Sequence, residues 1–285
     1  MLKLIECPRD AMQGIHEYIP IDLKVKYINL LLKAGFDTID FGSFVSPKAI
    51  PQLTDTAEVV ESLNITTNGT KLLAIIANIR GAEEASLFEQ ITYLGYPFSL
   101  SETFQLRNTN RKMDVAFDDL RKIQEICFDH EKKLVVYLSM GFGNPYGDPW
   151  NADIVTEWIN KLSSEEIEIF SLADTIGTAS AKDIGSVFKS VTAEYPDLEI
   201  GAHFHSKADK QGLKIEAAWK NGCRRFDSAM LGFGGCPMAE DDLVGNISTE
   251  FMIQFLADKK VETGLDMEAF GRAKELAGQI FAKYK

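Results

Sequence analysis

Short runs of apolar, β-branched and aromatic residues alternate along this chain with longer stretches in which apolar positions recur every three or four residues. The short runs, at 2–7, 38–44, 71–77, 93–99, 133–140, 167–174, 198–205 and 224–231, predict strands. The longer stretches, at 22–34, 54–63, 81–89, 112–131, 151–162, 179–194, 208–221 and 248–258, predict helices. In the first of these Val25, Ile28 and Leu32 share one face, Asp22 is placed to cap the start and Gly35 to end it. A last helix is predicted after Asp266, with Met267, Phe270, Ala273, Ala277 and Phe281 on one stripe. Eight strand–helix units in strict alternation call for an all-parallel sheet, and eight is the number that closes on itself. The expected fold is therefore α/β, a (β/α)8 TIM barrel forming a single domain over residues 1–285, with an additional C-terminal helix. An open, doubly wound sheet is the rival. Against it, no Gly-x-Gly-x-x-Gly follows the first strand, and neither a linker nor a low-complexity tract divides the chain.

Composition narrows the possible partners. Hydrophobic residues make up 45% and charged residues 25%, enough for one large core and incompatible with disorder. Thirty Lys and Arg against 42 Asp and Glu give a net charge of −12 without a basic patch, which argues against nucleic acid and anionic membranes as partners. The first residues are charged and hold no signal-like apolar segment. Runs such as 72–77 are far shorter than the roughly 20 residues of a membrane helix. Four widely spaced cysteines, Cys7, Cys127, Cys223 and Cys236, suit reduced thiols in a soluble cytoplasmic protein.

In a closed parallel barrel, function collects at the C-terminal strand ends, and the reactive residues of this chain fall there. His203 and His205 sit two apart on a predicted strand, so both imidazoles face the same side. Asp10, at the end of the first strand and only one strand removed, can complete a divalent-metal site of mixed nitrogen and oxygen donors. That inventory favours Mg²⁺ or Mn²⁺ over a thiolate zinc site, although it is also that of a two-histidine, one-carboxylate iron site. Arg9, beside Asp10, can stabilise an oxyanion. The segment 231–238, Leu-Gly-Phe-Gly-Gly-Cys-Pro-Met, can hinge over the mouth and bring in Cys236 as proton donor or base. Asn246 can equally be the cap of the helix that follows it, and Lys48 an exposed cation.

The segments Glu6-Cys-Pro-Arg-Asp-Ala-Met-Gln13, Ser43-Phe-Val-Ser-Pro-Lys48, Ser101-Glu-Thr-Phe104 with Asn108, Ser171-Leu-Ala-Asp-Thr-Ile-Gly177, His203-Phe-His205, Gly232-Phe-Gly-Gly-Cys-Pro237 and Gly245-Asn246 resemble the 3-hydroxy-3-methylglutaryl-CoA lyase family. They fall in the family's order over nearly the whole chain. The resemblance implies a metal-dependent carbon–carbon lyase acting on an acyl-CoA and working as a homodimer. It implies Asp10, His203, His205 and Asn246 around the metal, and Arg9, Cys236, Asp174 and Asp40 as catalytic groups. It also implies Gln13, Ser43, Lys48 and Ser171 as substrate-binding residues. A related retro-aldol or Claisen enzyme, or an inactive acyl-CoA-binding barrel, fits the same segments. The departures are Asp40 where the family has glutamate, Ala11 where it has glycine, Ser206-Lys207 where it has Asp-Thr, and a 141–146 segment without the family's cysteines. The shorter Asp40 side chain puts its contact to Arg9 or to substrate at risk.

Overall fold

The computed structural model describes residues 2–65, 69–235 and 244–284. Eight strands, β1 Lys3–Glu6, β2 Thr38–Ser43, β3 Lys71–Ile75, β4 Ile91–Ser99, β5 Lys133–Ser139, β6 Ile169–Asp174, β7 Glu199–Phe204 and β8 Arg225–Ser228, pair in sequence order, and β8 pairs back onto β1 to close the barrel. Every ladder is parallel, and a bulge between Asp40 and Gly42 interrupts β2. The helices are α1 Pro8–Gln13, α2 Ile21–Ala34, α3 Thr56–Glu61, α4 Ile79–Ser86, α5 Glu102–Thr109, α6 Met113–Asp129, α7 Ala152–Ser163, α8 Ala181–Glu194, α9 Gln211–Lys220, α10 Thr249–Asp258 and α11 Met267–Lys283.

Each predicted strand and each of the nine predicted helices is present, within a few residues at the ends. Gly35 ends α2 in the left-handed region, at φ 84°, a conformation that costs glycine little. Asp22 does not cap α2; the helix starts one residue earlier, after Pro20, and no side chain caps it. Asp266 does cap α11, accepting the backbone N–H groups of Glu268 and Ala269. On the predicted stripe Phe270, Ala273, Ala277 and Phe281 are buried, whereas Met267 at the first turn is exposed. Two short helices, α1 and α5, were not predicted. Arg9 and Asp10, expected at the end of a strand, stand on α1, which Pro8 opens from its first turn.

The barrel interior is divided. Leu73, Ile75, Tyr93, Val135, Tyr137 and Ile169 fill one side with apolar packing, as barrel interiors usually are. The opposite side, from β1, β7 and β8, is charged: Lys3, Glu199, Arg225, Asp227 and His203 are joined in pairs. The larger core lies between the strands and the ring of helices.

Candidate active site at the barrel mouth

Four buried side chains converge at the C-terminal end of the barrel. His203 and His205 lie on β7 and just beyond it, their ring centroids 5.1 Å apart. Asp10 reaches them from α1; one donor atom of each of the three lies within 4.8 Å of the others. Asn246 is placed by an antiparallel bridge to His205, with Ile247 N–H donating to the Phe204 carbonyl. Its amide nitrogen donates to Asp10 Oδ2 (2.5 Å) and to the Phe233 carbonyl (2.8 Å). That leaves its Oδ1 as the atom a cation can use. The helix cap after it is Ser248, which accepts from Phe251 N–H.

Arg9 organises the acidic groups. Its Nε and Nη2 donate to Asp40, the closest contact being 2.5 Å, and its Nη1 donates to Asp10 Oδ1 (3.1 Å) and Gln13 Oε1 (2.9 Å). Gln13 Nε2 also donates to Asp10. The contact from Asp40 to Arg9 is thus kept despite the shorter side chain. The first residues of the glycine-rich loop press on this group. A Cβ on Gly234, at φ 107°, would come within 2.7 Å of the Asp10 carbonyl oxygen and would also run into the Asn246 amide. Cys236 lies outside the described residues.

Burial works against charge on Asp10, but Arg9, then His205 and His203, outweigh it and hold its carboxyl below its ordinary range. Burial dominates at Asp40 and raises its carboxyl in spite of Arg9. Burial, reinforced by the neighbouring His203, pushes His205 down to about 4, so it is a neutral imidazole at physiological pH. His205 Nδ1 is buried with no hydrogen-bond partner among the described residues. At His203 burial is offset by the hydrogen bond and charge of Asp227, and its imidazole is raised. An ionised carboxylate, an amide oxygen and two imidazoles, one with an unpartnered buried nitrogen, make a mixed oxygen and nitrogen donor set that a divalent cation can use. These residues fit a metal. A second cluster of donor atoms, Cys7, His203 and Asp227, lies deeper. There Asp227 is already occupied by Arg225, and burial pushes the Cys7 thiol well up.

The other expected residues sit further from the cation group. Ser171 donates to Asp227 Oδ2 (3.1 Å) behind His203. Asp174 is paired with Lys214, which also donates to the His205 carbonyl (2.9 Å), so it touches the site through backbone. Ser43 donates to the Ile75 carbonyl and Lys48 is exposed. A cleft of about 420 Å³ opens above Arg9, Asp10, Gln13, His203 and His205. Apolar residues, including Val45, Ile50, Ile75, Pro97 and Phe104, line its wall, and Arg107 and Arg111 stand among its other lining residues. Tyr137 lines it as well, its ring set edge-on to His203 at 5.4 Å. Asp227 was missed in the sequence, although its signal is present: Arg225 and Asp227 are opposite charges two apart on a predicted strand, and so share one face.

A closed parallel barrel with a cation-competent carboxylate, imidazole and amide group at its mouth is an α/β-barrel enzyme of the metal-assisted kind. The chain belongs to the HMGL-like family, whose model matches residues 3–277. It is 30% identical, over 99% of its length and 93% of the relative's, to the 3-hydroxy-3-isohexenylglutaryl-CoA/hydroxy-methylglutaryl-CoA lyase of Pseudomonas aeruginosa. It is also 30% identical to a hydroxymethylglutaryl-CoA lyase of Bacillus subtilis, over 92% of this chain and 86% of that one. An HMG-CoA lyase structure from Acinetobacter baumannii, in complex with coenzyme A and 3-methylmalate, superposes with a TM-score of 0.89 at 29% identity, covering 98% of this chain and 92% of that one.

Proposed function

We propose that this protein is a carbon–carbon lyase that cleaves 3-hydroxy-3-methylglutaryl-CoA to acetyl-CoA and acetoacetate with Mg²⁺ or Mn²⁺. The convergence of Asp10, His203 and His205 beside the Arg9 guanidinium, under an apolar cleft, carries this reading. Asp10, His203, His205 and Asn246 would hold the cation. When bound, it would lower the pKa of the substrate's tertiary hydroxyl and fix that oxygen relative to the thioester.

The remaining work falls to the chain's own residues. Breaking the bond leaves an enolate oxygen on the departing thioester, and Arg9 is the cationic donor at the mouth. It is held in place by Asp40, Asp10 and Gln13 before any ligand arrives, so no reorganisation is needed as charge develops. Burial raises the Asp40 carboxyl in spite of Arg9, which suits a group that takes up a proton and passes it on. Cys236, on the loop after β8, is assigned proton transfer to the enolate carbon. The apolar part of the cleft wall leaves fewer polar partners for water beside these groups, and water would weaken their interactions. Gln13, Ser43, Lys48 and Ser171 are assigned to substrate. Ser171 acts through Asp227 and Ser43 through the β3 end, and Lys48 becomes a contact only if its loop folds inward over the acyl-CoA.

A cytoplasmic setting and a dimer belong to the same proposal; the described cysteines, Cys7, Cys127 and Cys223, are free thiols. Among the described residues no helix is long and apolar enough to cross a membrane. Purified protein given Mg²⁺ or Mn²⁺ and the thioester is expected to release acetoacetate. No release from protein shown to hold the ion would overturn the substrate, and a panel of other 3-hydroxyacyl thioesters would then find its replacement.

A further inference from the structure

The charged half of the barrel interior needs a physical reason. Charges taken out of water are costly, and pairing them rarely returns more than well-packed apolar side chains would. Yet Lys3 of β1, Glu199 and His203 of β7, and Arg225 and Asp227 of β8 form a connected column. Lys3 Nζ donates to Glu199 Oε2 (2.6 Å), and Arg225 Nε donates to Glu199 Oε1 (3.0 Å). Arg225 Nη1 donates to Asp227 Oδ1 (2.8 Å), and Asp227 Oδ2 lies 3.1 Å from His203 Nδ1. The lower end faces a cavity at the N-terminal side of the barrel, lined by Lys3, Glu199 and Arg225. The upper end is a residue of the cation group. Gly201 makes the column possible: a Cβ there would come within 2.9 Å of both Cγ and Cδ of Arg225, so β7 leaves out a side chain where the arginine stem crosses.

We propose that Arg225 is a positioning residue for the cation site, acting on His203 through Asp227; this rests on the assignment of His203 as a metal ligand. The geometry gives the mechanism. Asp227 Oδ1 is held by Arg225, and its Oδ2 receives both Ser171 Oγ–H (3.1 Å) and the His203 ring. A carboxylate paired with a guanidinium only accepts hydrogen bonds, so His203 Nδ1 must carry the proton. Nε2 is then the bare nitrogen, the one free to bind an ion. Carboxylate partners of this kind fix the tautomer and the ring orientation of metal-bound histidines. Here the carboxylate is itself fixed by Arg225, which Glu199 steadies from below. The arginine touches neither the cleft nor the other candidate ligands. Without it, Asp227 is free to turn away from His203, and the imidazole would lose its one fixed tautomer.

The test is manganese binding to the metal-free protein, read from the electron paramagnetic resonance of free Mn²⁺, beside the ring ¹⁵N spectrum of the two histidines. Wild type is expected to show an Nδ1-protonated His203. Arg225→Met is expected to bind Mn²⁺ about tenfold more weakly, near the lower end of what losing such an outer partner costs, and to show a mixture of His203 tautomers while His205 is unchanged. Arg225→Lys should recover part of both. Manganese affinity and tautomer that stay at wild-type values in folded Arg225→Met would overturn the proposal. Should that variant fail to fold, the double variant Arg225→Met/Glu199→Gln removes one charge of each sign, and the same outcomes apply to it. An Nε2-protonated His203 in the wild type also overturns it. Wild-type protein that binds no Mn²⁺ defeats the metal assignment instead, and the tautomer readings still decide the role of Arg225.

Discussion

Arg9 is the residue on which most of the site's electrostatics turn. Its guanidinium lies between Asp10 and Asp40, and three buried charges with one net negative sign are a suitable partner for a divalent cation. If Arg9 stabilises the enolate rather than the ion, Arg9→Met should bind Mn²⁺ nearly as well as wild type while kcat falls by about 10²–10³, the usual cost of removing one donor to a developing oxyanion. Manganese binding lost in parallel with turnover would instead make Arg9 a structural member of the metal site. Its pairing of residue types was visible in the sequence, because Arg9 and Asp10 follow the first strand, at the end of the barrel where function collects. The helix that carries both residues was not visible, since six residues are too few for a periodic pattern. Asp227 was also missed. Arg225, two residues before it, is visible in a linear reading, but its other partner, His203, lies one strand over.

Among the elements, β1, the turn after β8 and α10 are joined by one buried carboxylate. Glu6 accepts from the Met230 N–H (2.8 Å) and from Thr249 Oγ1 (2.5 Å), fixing the root of the loop that carries Gly234. Burial raises the Glu6 carboxyl to about 8. Between its ordinary 4.5 and about 8 the folded chain therefore holds a proton that the unfolded chain has released. Its contribution to stability falls as pH rises through that window, by up to about 1.4 kcal/mol per pH unit, and levels off above it. Glu6→Gln should flatten that part of the stability–pH curve measured by urea unfolding; an unchanged slope would mean that Glu6 is ionised in the fold. The loop itself makes a steric prediction. Gly234→Ala meets backbone at Asp10 and should abolish most turnover, whereas Gly143→Ala, at a similar φ of 111° with nothing within 4 Å, should lose stability through backbone strain but keep most of its turnover. Equal effects would show that backbone strain alone, and not the approach to Asp10, accounts for the first. Alternation of strand and helix was legible at this scale because each strand is buried on both faces and each long helix shows one stripe. Caps were less so: Asp22, read as a cap, is not one, and the capping role of Asp266 came only with the structure.

The whole molecule is a barrel whose two halves do different work. One side of its interior is apolar and holds the cylinder together; the other is a ladder of ion pairs that ends in the cation group. The closed topology brings α1, β7 and residue 246 together across more than 190 positions of sequence, which is why strand-end logic could offer Asp10, His203 and His205 as candidate ligands, while Asn246 came only from the family resemblance. Their mutual distances came only with the fold. The proposed chemistry centres on a single cation bound by Asp10, His203 and His205. The direct measurement is an anomalous difference map from a crystal grown with Mn²⁺. One strong peak within bonding distance of an Asp10 oxygen, of His203 Nε2 and of a His205 nitrogen is the predicted result. A peak elsewhere, or none in protein saturated with the ion, would contradict it.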